Sequence, residues 1–252
     1  MQFMSNIYSH LEKKHYLAEV FLDVSKAFDS LSHKILLCKL SNFGIRGIHL
    51  RFLHSYLTHR HPAVYCNNKY SSFKPICKGV PQGSILGPIL FIIYINDIVH
   101  ASSKLKYTIY ADDTNLLMGD SDLDNLHINL NNELDIVNKW IKNNNLSLNV
   151  SKTNYIIFQK RSVKHSIPPV ILEGIILERV TYTKFLWVNI DQHLNWNIHI
   201  NSVASKLSRI CRVLYRVRNN LTTESLIILL HTLLSSFDLL CICVGLYLAF
   251  FS

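Results

Sequence analysis

None of the six cysteines forms a CxxC pair, and Cys241 and Cys243 stand in an apolar run with no matching His or Cys pair. That excludes the usual zinc-site spacing and leaves buried thiols in a reducing compartment as the expected state. Charge is sparse as well: charged residues are 17% of the 252, against 49% hydrophobic. Such a chain can bury a core and is not disordered by composition. Acid is scarcer than base, with 17 Asp+Glu against 26 Lys+Arg and a net charge of +9. Gathered on one face, that excess suits nucleic acid or an anionic membrane; spread out, it marks only a basic soluble protein. The opening MQFMSNIYSHLEKKHYL lacks the apolar core of a secretory signal, so the cell interior, nucleus or cytoplasm, is the expected location. No internal repeat or Gly/Ser-rich linker divides the chain, and its length allows one large domain or one domain with a piece of another.

Hydrophobic periodicity then supplies the elements. Residues 18–24 read as a strand ending in the acid-bearing turn DVSKAFD. Ser32 can cap a following helix that stops near Gly44, and residues 48–57 form a second amphipathic helix with Ile48, Phe52, Leu53, Tyr56 and Leu57 on one side. Residues 63–66 and 70–76 read as a hairpin about Asn67, Asn68 and Lys69. GVPQGS opens the apolar helix ILGPILFIIYIND. Two short strands, 106–110 and 115–118, flank Ala111, Asp112, Asp113 and Thr114. Leu123, Leu126, Leu130, Leu134, Val137 and Ile141 mark a long amphipathic helix. Strand-like pieces follow at 146–150, 155–158, 170–172 and 183–190, then a basic helix over 203–218 and an apolar tail over 226–251. Hairpins mixed with helices predict an α+β fold, an antiparallel sheet backed by helices.

Asp112 and Asp113 share a tight turn between apolar strands. Adjacent carboxylates repel each other and gain nothing from burial unless cations neutralise them. Alone, the pair reads more readily as a polar hairpin turn. Asp23 adds a third acid, at the end of the strongly apolar strand EVFLD. Three carboxylates at neighbouring strand ends would make an oxygen-only site suited to Mg²⁺. Two ions ~3.5–4 Å apart can activate an attacking hydroxyl and stabilise a leaving oxygen, so the pattern fits two-metal phosphoryl transfer.

FLDVSKAFDSLSH, GVPQGSILGPILFIIYINDI, YADD and NNLSLNVSKT occur in the order of reverse-transcriptase motifs. Over roughly residues 15–200 the chain resembles the polymerases of non-LTR retrotransposons, jockey-like elements above all. The resemblance implies a right-hand polymerase palm and RNA-directed DNA polymerase activity on an RNA template, a DNA primer and dNTPs. It makes Asp23, Asp112 and Asp113 the ligands of two Mg²⁺ ions, for which Mn²⁺ could substitute, with the Val24 carbonyl helping. Phe28 matches the aromatic beneath the incoming sugar, where a flat ring excludes a ribose 2′-OH; by pattern alone it reads rather as a core residue. Asp29 reads as a cap for the next helix. Gln82 and Gly83 match the loop beside nucleotide and template, and Gly79 and Gly83 let backbone approach a ligand. Lys152 matches the lysine near the leaving pyrophosphate, where it could donate a proton or balance charge; alone it would be a solvated loop lysine. Lys206, Arg209, Arg212 and Arg216 recur at helical spacing and suit phosphate contacts along a duplex, or else form a solvated face.

The resemblance also has gaps. Only about 17 residues precede the first strand, so incomplete fingers and no endonuclease domain are expected within this sequence. Trp187 stands where the primer-gripping hairpin, here Lys184, Phe185 and Leu186, generally has glycine. The tail departs from a thumb. As a membrane segment it is interrupted by His231 and Asp238, so a span is not expected. The division expected is a reverse-transcriptase domain over 1–190 and a partial, degenerate thumb with its basic helix and tail over 191–252. A catalytically inactive nucleic-acid-binding remnant is the alternative.

Overall fold

The run YLAEVFLD builds the central strand, because its odd and even positions serve two different faces. The computed structural model describes residues 5, 7–10, 16–58, 60, 61, 63–72, 76–81, 83–158, 168–186 and 188–235, and it divides into two compact units, Met1–Arg179 and Val180–Ser252. In the first unit β1 (Tyr16–Asp23) leads into α1 (Ala27–Ser30), α2 (His33–Asn42) and α3 (Gly47–Thr58). The small hairpin β2 (Tyr65–Cys66) and β3 (Lys69–Tyr70) follows, then α4 (Leu86–Ile95), which tightens into a 3₁₀ turn over Asn96–His100. Next come β4 (Lys106–Tyr110), β5 (Asp113–Asp120), α5 (Leu123–Asn143), β6 (Asn154–Phe158), the hairpin β7 (Ile171–Leu172) and β8 (Ile175–Ile176), and β9 (Glu178–Arg179). The principal sheet has the order β4-β5-β1-β6-β9. Its pairings are antiparallel except at the edge, where β9 lies parallel to β6. The expected antiparallel sheet thus carries one parallel edge pair, where the chain re-enters the sheet in the direction of β6.

Period-two alternation splits the sheet into a core face and a site face. Ala18, Val20 and Leu22 of β1, Leu116 and Met118 of β5, and Tyr155 and Ile157 of β6 join one core with Leu126, Leu130, Leu134, Val137 and Ile141 of α5. The same core takes in Leu36 and Leu40 of α2 and Leu90, Phe91, Tyr94 and Ile95 of α4. The α5 helix starts where expected, with the Asp122 carboxylate accepting a 2.9 Å bond from Asn125 N–H, a cap worth ~1 kcal/mol. The Lys39 ammonium ties α2 to α4: it donates at 2.6 Å to the Tyr94 carbonyl and to Asp97, between the Tyr94 and Trp140 rings.

Several local expectations give way. Ser32 takes the N-cap position of α2, but its side chain makes no capping bond. Asp29 lies inside the short α1, whose N-cap position is taken by Lys26. Residues 146–150 form no strand beyond one bridge, Leu148 to Val24, because the Asn149 carbonyl is spent on a turn, accepting from Lys152 and Thr153 N–H. The supposed apolar side of α3 is split: Leu57 is buried and Leu53 and Tyr56 pack partly against the core, while Ile48 and Phe52 are 69% and 62% exposed.

The second unit pairs β10 (Tyr182–Phe185) with β11 (Val188–Asp191), then forms α6 (Asn197–Val217) and α7 (Thr223–Ser235). The buried Asp191 carboxylate accepts from the backbone N–H groups of His193, Asn195 and Trp196 at 2.9, 3.2 and 2.9 Å, fixing the approach to α6. Leu186 holds φ +46 in the hairpin turn, a conformation in which glycine would be unstrained. Trp187 and the tail over 236–252 lie outside the described residues. No described helix is long and apolar enough to cross a membrane.

Candidate active site

Antiparallel register does the first work of assembly. Asp23, the last residue of β1, pairs directly with Asp113, the first of β5; such partners have Cβ atoms ~4.5–5.5 Å apart. The turn between β4 and β5 consists of Ala111 and Asp112 alone, with Ala111 at φ +52. Asp113 thus begins a strand rather than sitting in the turn. Burial raises its pKa, and the negative charges of Asp112 and Asp23 raise it further. None of the ion pairs among the described residues engages these three acids. Nor do the described residues contain a group of three His, Cys, Asp or Glu side chains drawn together as a formed metal centre. What is present is a hard, oxygen-only set carrying unbalanced negative charge, the chemistry a divalent cation satisfies.

The Asp23 backbone is clamped on both sides. Its N–H donates to Thr153 Oγ1 at 3.3 Å, and its carbonyl accepts from Asn149 N–H at 2.8 Å. Ser25 N–H donates to the Ser147 carbonyl at 2.8 Å, so residues 147–153 run beside the end of β1. A cleft of ≈ 650 Å³ results, lined among others by Asp23, Val24, Phe28, Asp112 and Lys152. Phe28 is half-buried: it lines this cleft and also packs against Phe91, with ring centroids 5.1 Å apart. One side chain thus belongs both to the core packing and to the cleft wall. Lys26, exposed and at φ 47, also lines the cleft. Sequence reasoning missed it, along with Asn149 and Thr153. The spacing of Lys26 from Asp23 was the only available signal; the Thr153 clamp depends on a long-range pairing that no local pattern announces.

The GVPQGS loop is laid along the segment that follows β1. Gly79 N–H donates to the Leu31 carbonyl and Val80 N–H to the Phe28 carbonyl, while the Gly79 carbonyl lies 2.8 Å from His33 Nε2. A Cβ on Gly79 would stand 2.8 Å from the Asp29 carbonyl oxygen. The close approach that Gly79 permits is therefore to the chain's own backbone. Gly83, at φ +76, has open space where a Cβ would be, and it does not line the cleft. Gln82 lies outside the described residues. Lys206, Arg209, Arg212 and Arg216 all fall on α6 of the second unit, with the three arginines exposed and Lys206 half-buried.

Comparison with known proteins adds to this geometry. Residues 2–189 match the family model described as Reverse transcriptase (RNA-dependent DNA polymerase). The chain is 31% identical, over 77% of its length, to the RNA-directed DNA polymerase from mobile element jockey of Drosophila melanogaster, covering 22% of that protein. It is 30% identical over 85% of its length to the jockey polymerase of Drosophila funebris, and 28% over 88% to the probable RNA-directed DNA polymerase from transposon BS of Drosophila melanogaster. It spans about a quarter of these curated relatives, covering 24% and 25% of the latter two. Among solved structures, apo telomerase from Candida tropicalis superposes with a TM-score of 0.54 at 14% identity, over 78% of this chain and 35% of that one. A C-terminally truncated form of that telomerase gives a TM-score of 0.52 at 17% identity.

Proposed function

The chain belongs to the reverse transcriptase (RNA-dependent DNA polymerase) family, and on that premise we propose that it carries the catalytic palm of an RNA-directed DNA polymerase of a non-LTR mobile element. The observation that carries this reading is the pairing of Asp23 with Asp113, beside Asp112, over a cleft that also holds Phe28 and Lys152. The reaction is attack of a primer 3′-OH on the α-phosphorus of a dNTP, directed by an RNA template, with release of pyrophosphate. The partners are accordingly an RNA template, a DNA primer and dNTPs, met inside the cell.

Asp23, Asp112 and Asp113, with the Val24 carbonyl, are the groups that would hold two divalent ions, Mg²⁺ by hardness and Mn²⁺ as a substitute. When bound, such ions lower the cost of the attacking and leaving oxygens' negative charge. The rest falls to the protein's own side chains. The Thr153 and Asn149 bonds fix the Asp23 backbone, so its carboxylate meets the reacting groups without reorganisation. Phe28, backed by Phe91, offers a rigid ring edge at the cleft that excludes a 2′-OH. Lys152 and Lys26 place positive charge where the triphosphate enters. Gly83 and Gln82 belong to the loop assigned to template and nucleotide, and Lys206, Arg209, Arg212 and Arg216 to phosphate contacts along the duplex.

Mg²⁺-dependent primer extension on an RNA template, by the chain alone and by the chain fused to the upstream region of a full-length jockey polymerase, tests the proposal. The fusion should extend strongly and the chain alone weakly. In both, Asp112→Asn and Asp23→Asn should remove extension and weaken Mn²⁺ binding by about tenfold or more, as loss of one of three charged ligands demands. Extension that persists in Asp112→Asn overturns the assignment.

A further inference from the structure

The positive charge of this chain is not spread evenly. Residues 30–96 contain no Asp or Glu but eight Lys and Arg, leaving 18 against 17 elsewhere. Within that stretch the corner between α2 and α3 and the start of α4 enclose an open groove of ≈ 540 Å³, lined by Ile45, Arg46, His49, Phe52, Leu53 and Leu86. Phe52 presents 62% of its surface, and its ring lies near-parallel to that of Tyr56, with centroids 6.5 Å apart and 21° between planes. Arg46 and His49 are exposed beside them. Leu86 begins α4 immediately after the loop carrying Gly83, so the groove adjoins the loop assigned to the template.

We propose that this groove binds the unpaired template strand ahead of the catalytic cleft, stacking bases on Phe52 and holding phosphates with Arg46 and His49. The inference rests on the polymerase reading and adds a binding surface to it. An exposed ring flanked by cations, with no acid among the residues that line the groove, matches a single strand in both charge and shape. Unpaired bases offer π-faces to a ring, whereas a duplex keeps its own faces stacked.

The test is fluorescence anisotropy of the full chain with a DNA primer on an RNA template, either blunt or with a 5′ template overhang of about ten nucleotides, a length typical of single-strand sites. The overhang should tighten binding about fivefold or more. Phe52→Ala should remove most of that gain, and Phe52→Trp should keep it. Arg46→Ala should lower the salt slope of overhang binding by about 0.7 unit. Thermal unfolding of the variants should match wild type, since Phe52 and Arg46 are solvated. A gain that is absent, or that survives both Phe52→Ala and Arg46→Ala, overturns the groove. So does Phe52-dependent binding to phosphatidylserine vesicles without an overhang effect. Blunt-duplex binding reads the polymerase proposal separately: an absent gain with normal blunt binding sinks the groove alone, and failure of both probes counts against both.

Discussion

At the scale of single residues, Glu19 is the least expected feature. The period-two pattern puts it on the face of β1 that carries Asp23, two positions beyond Phe21, with Asn115 diagonally across on β5. It is fully buried, and neither carboxylate oxygen has a hydrogen-bond partner among the described residues. Burial holds its pKa well above the ordinary carboxylate value, and the Asn115 side chain offsets this only in part. The acid is therefore neutral in the folded chain at pH values where it ionises in the unfolded one. A raised folded pKa means that the stability is fully present below the unfolded value, ~4.3, and is lost as pH rises toward the folded value. Glu19→Gln keeps the shape and removes the titration. The two proteins should unfold at similar temperatures near pH 4. The Gln variant should then gain progressively toward neutrality, by ~2–4 °C for each kcal/mol. A Tm difference independent of pH would show that Glu19 is solvated or ion-paired in solution.

At the scale of elements, the sequence is legible where a pattern is local and opaque where two distant segments meet. The α5 helix announced itself through six apolar positions, and β1 and β5 through apolar runs beside acids, while the Asp122 cap of α5 emerged only from the structure. What the pattern could not show is that residues 147–153 turn back on the Asn149 carbonyl to clamp Asp23, or that Gly79 abuts Asp29. The two loop glycines test this distinction. Both have positive φ, so alanine at either costs ~1 kcal/mol in backbone strain. Gly79→Ala must also displace the Asp29 backbone, so it should cost clearly more than Gly83→Ala and should perturb α1 and the cleft with it. Equal urea midpoint shifts for the two would count against the close approach. Thr153→Val removes the hydroxyl that accepts from Asp23 N–H and donates to the Asn149 carbonyl. With Thr153 buried, the loss should be ~1–3 kcal/mol by the same measurement.

At the scale of the whole molecule, two basic surfaces have different local shapes and so should read different nucleic-acid features. The groove on the first unit is aromatic and suits unpaired strands. The α6 stripe of the second unit presents Arg209, Arg212 and Arg216 at helical spacing, and its exposed ring, Tyr215, already has the Arg218 guanidinium 3.9 Å over its face, so the surface suits phosphates more than stacked bases. Neutralising one phosphate contact on duplex lowers the magnitude of the log-affinity versus log-salt slope by ~0.9. Arg212→Ala should therefore weaken blunt primer–template binding about equally for every sequence, reduce the slope by about one unit, and leave the overhang gain intact. Arg46→Ala should do the reverse. Asp23→Asn belongs to neither class: it removes negative charge, so binding in chelator should be unchanged or slightly tighter. The measurement is a salt titration of both probes against all three variants, first in chelator and then with Mg²⁺. If Arg212→Ala leaves the slope unchanged, α6 is a solvated face, and the groove together with the acid-free stretch over 30–96 must account for duplex binding as well.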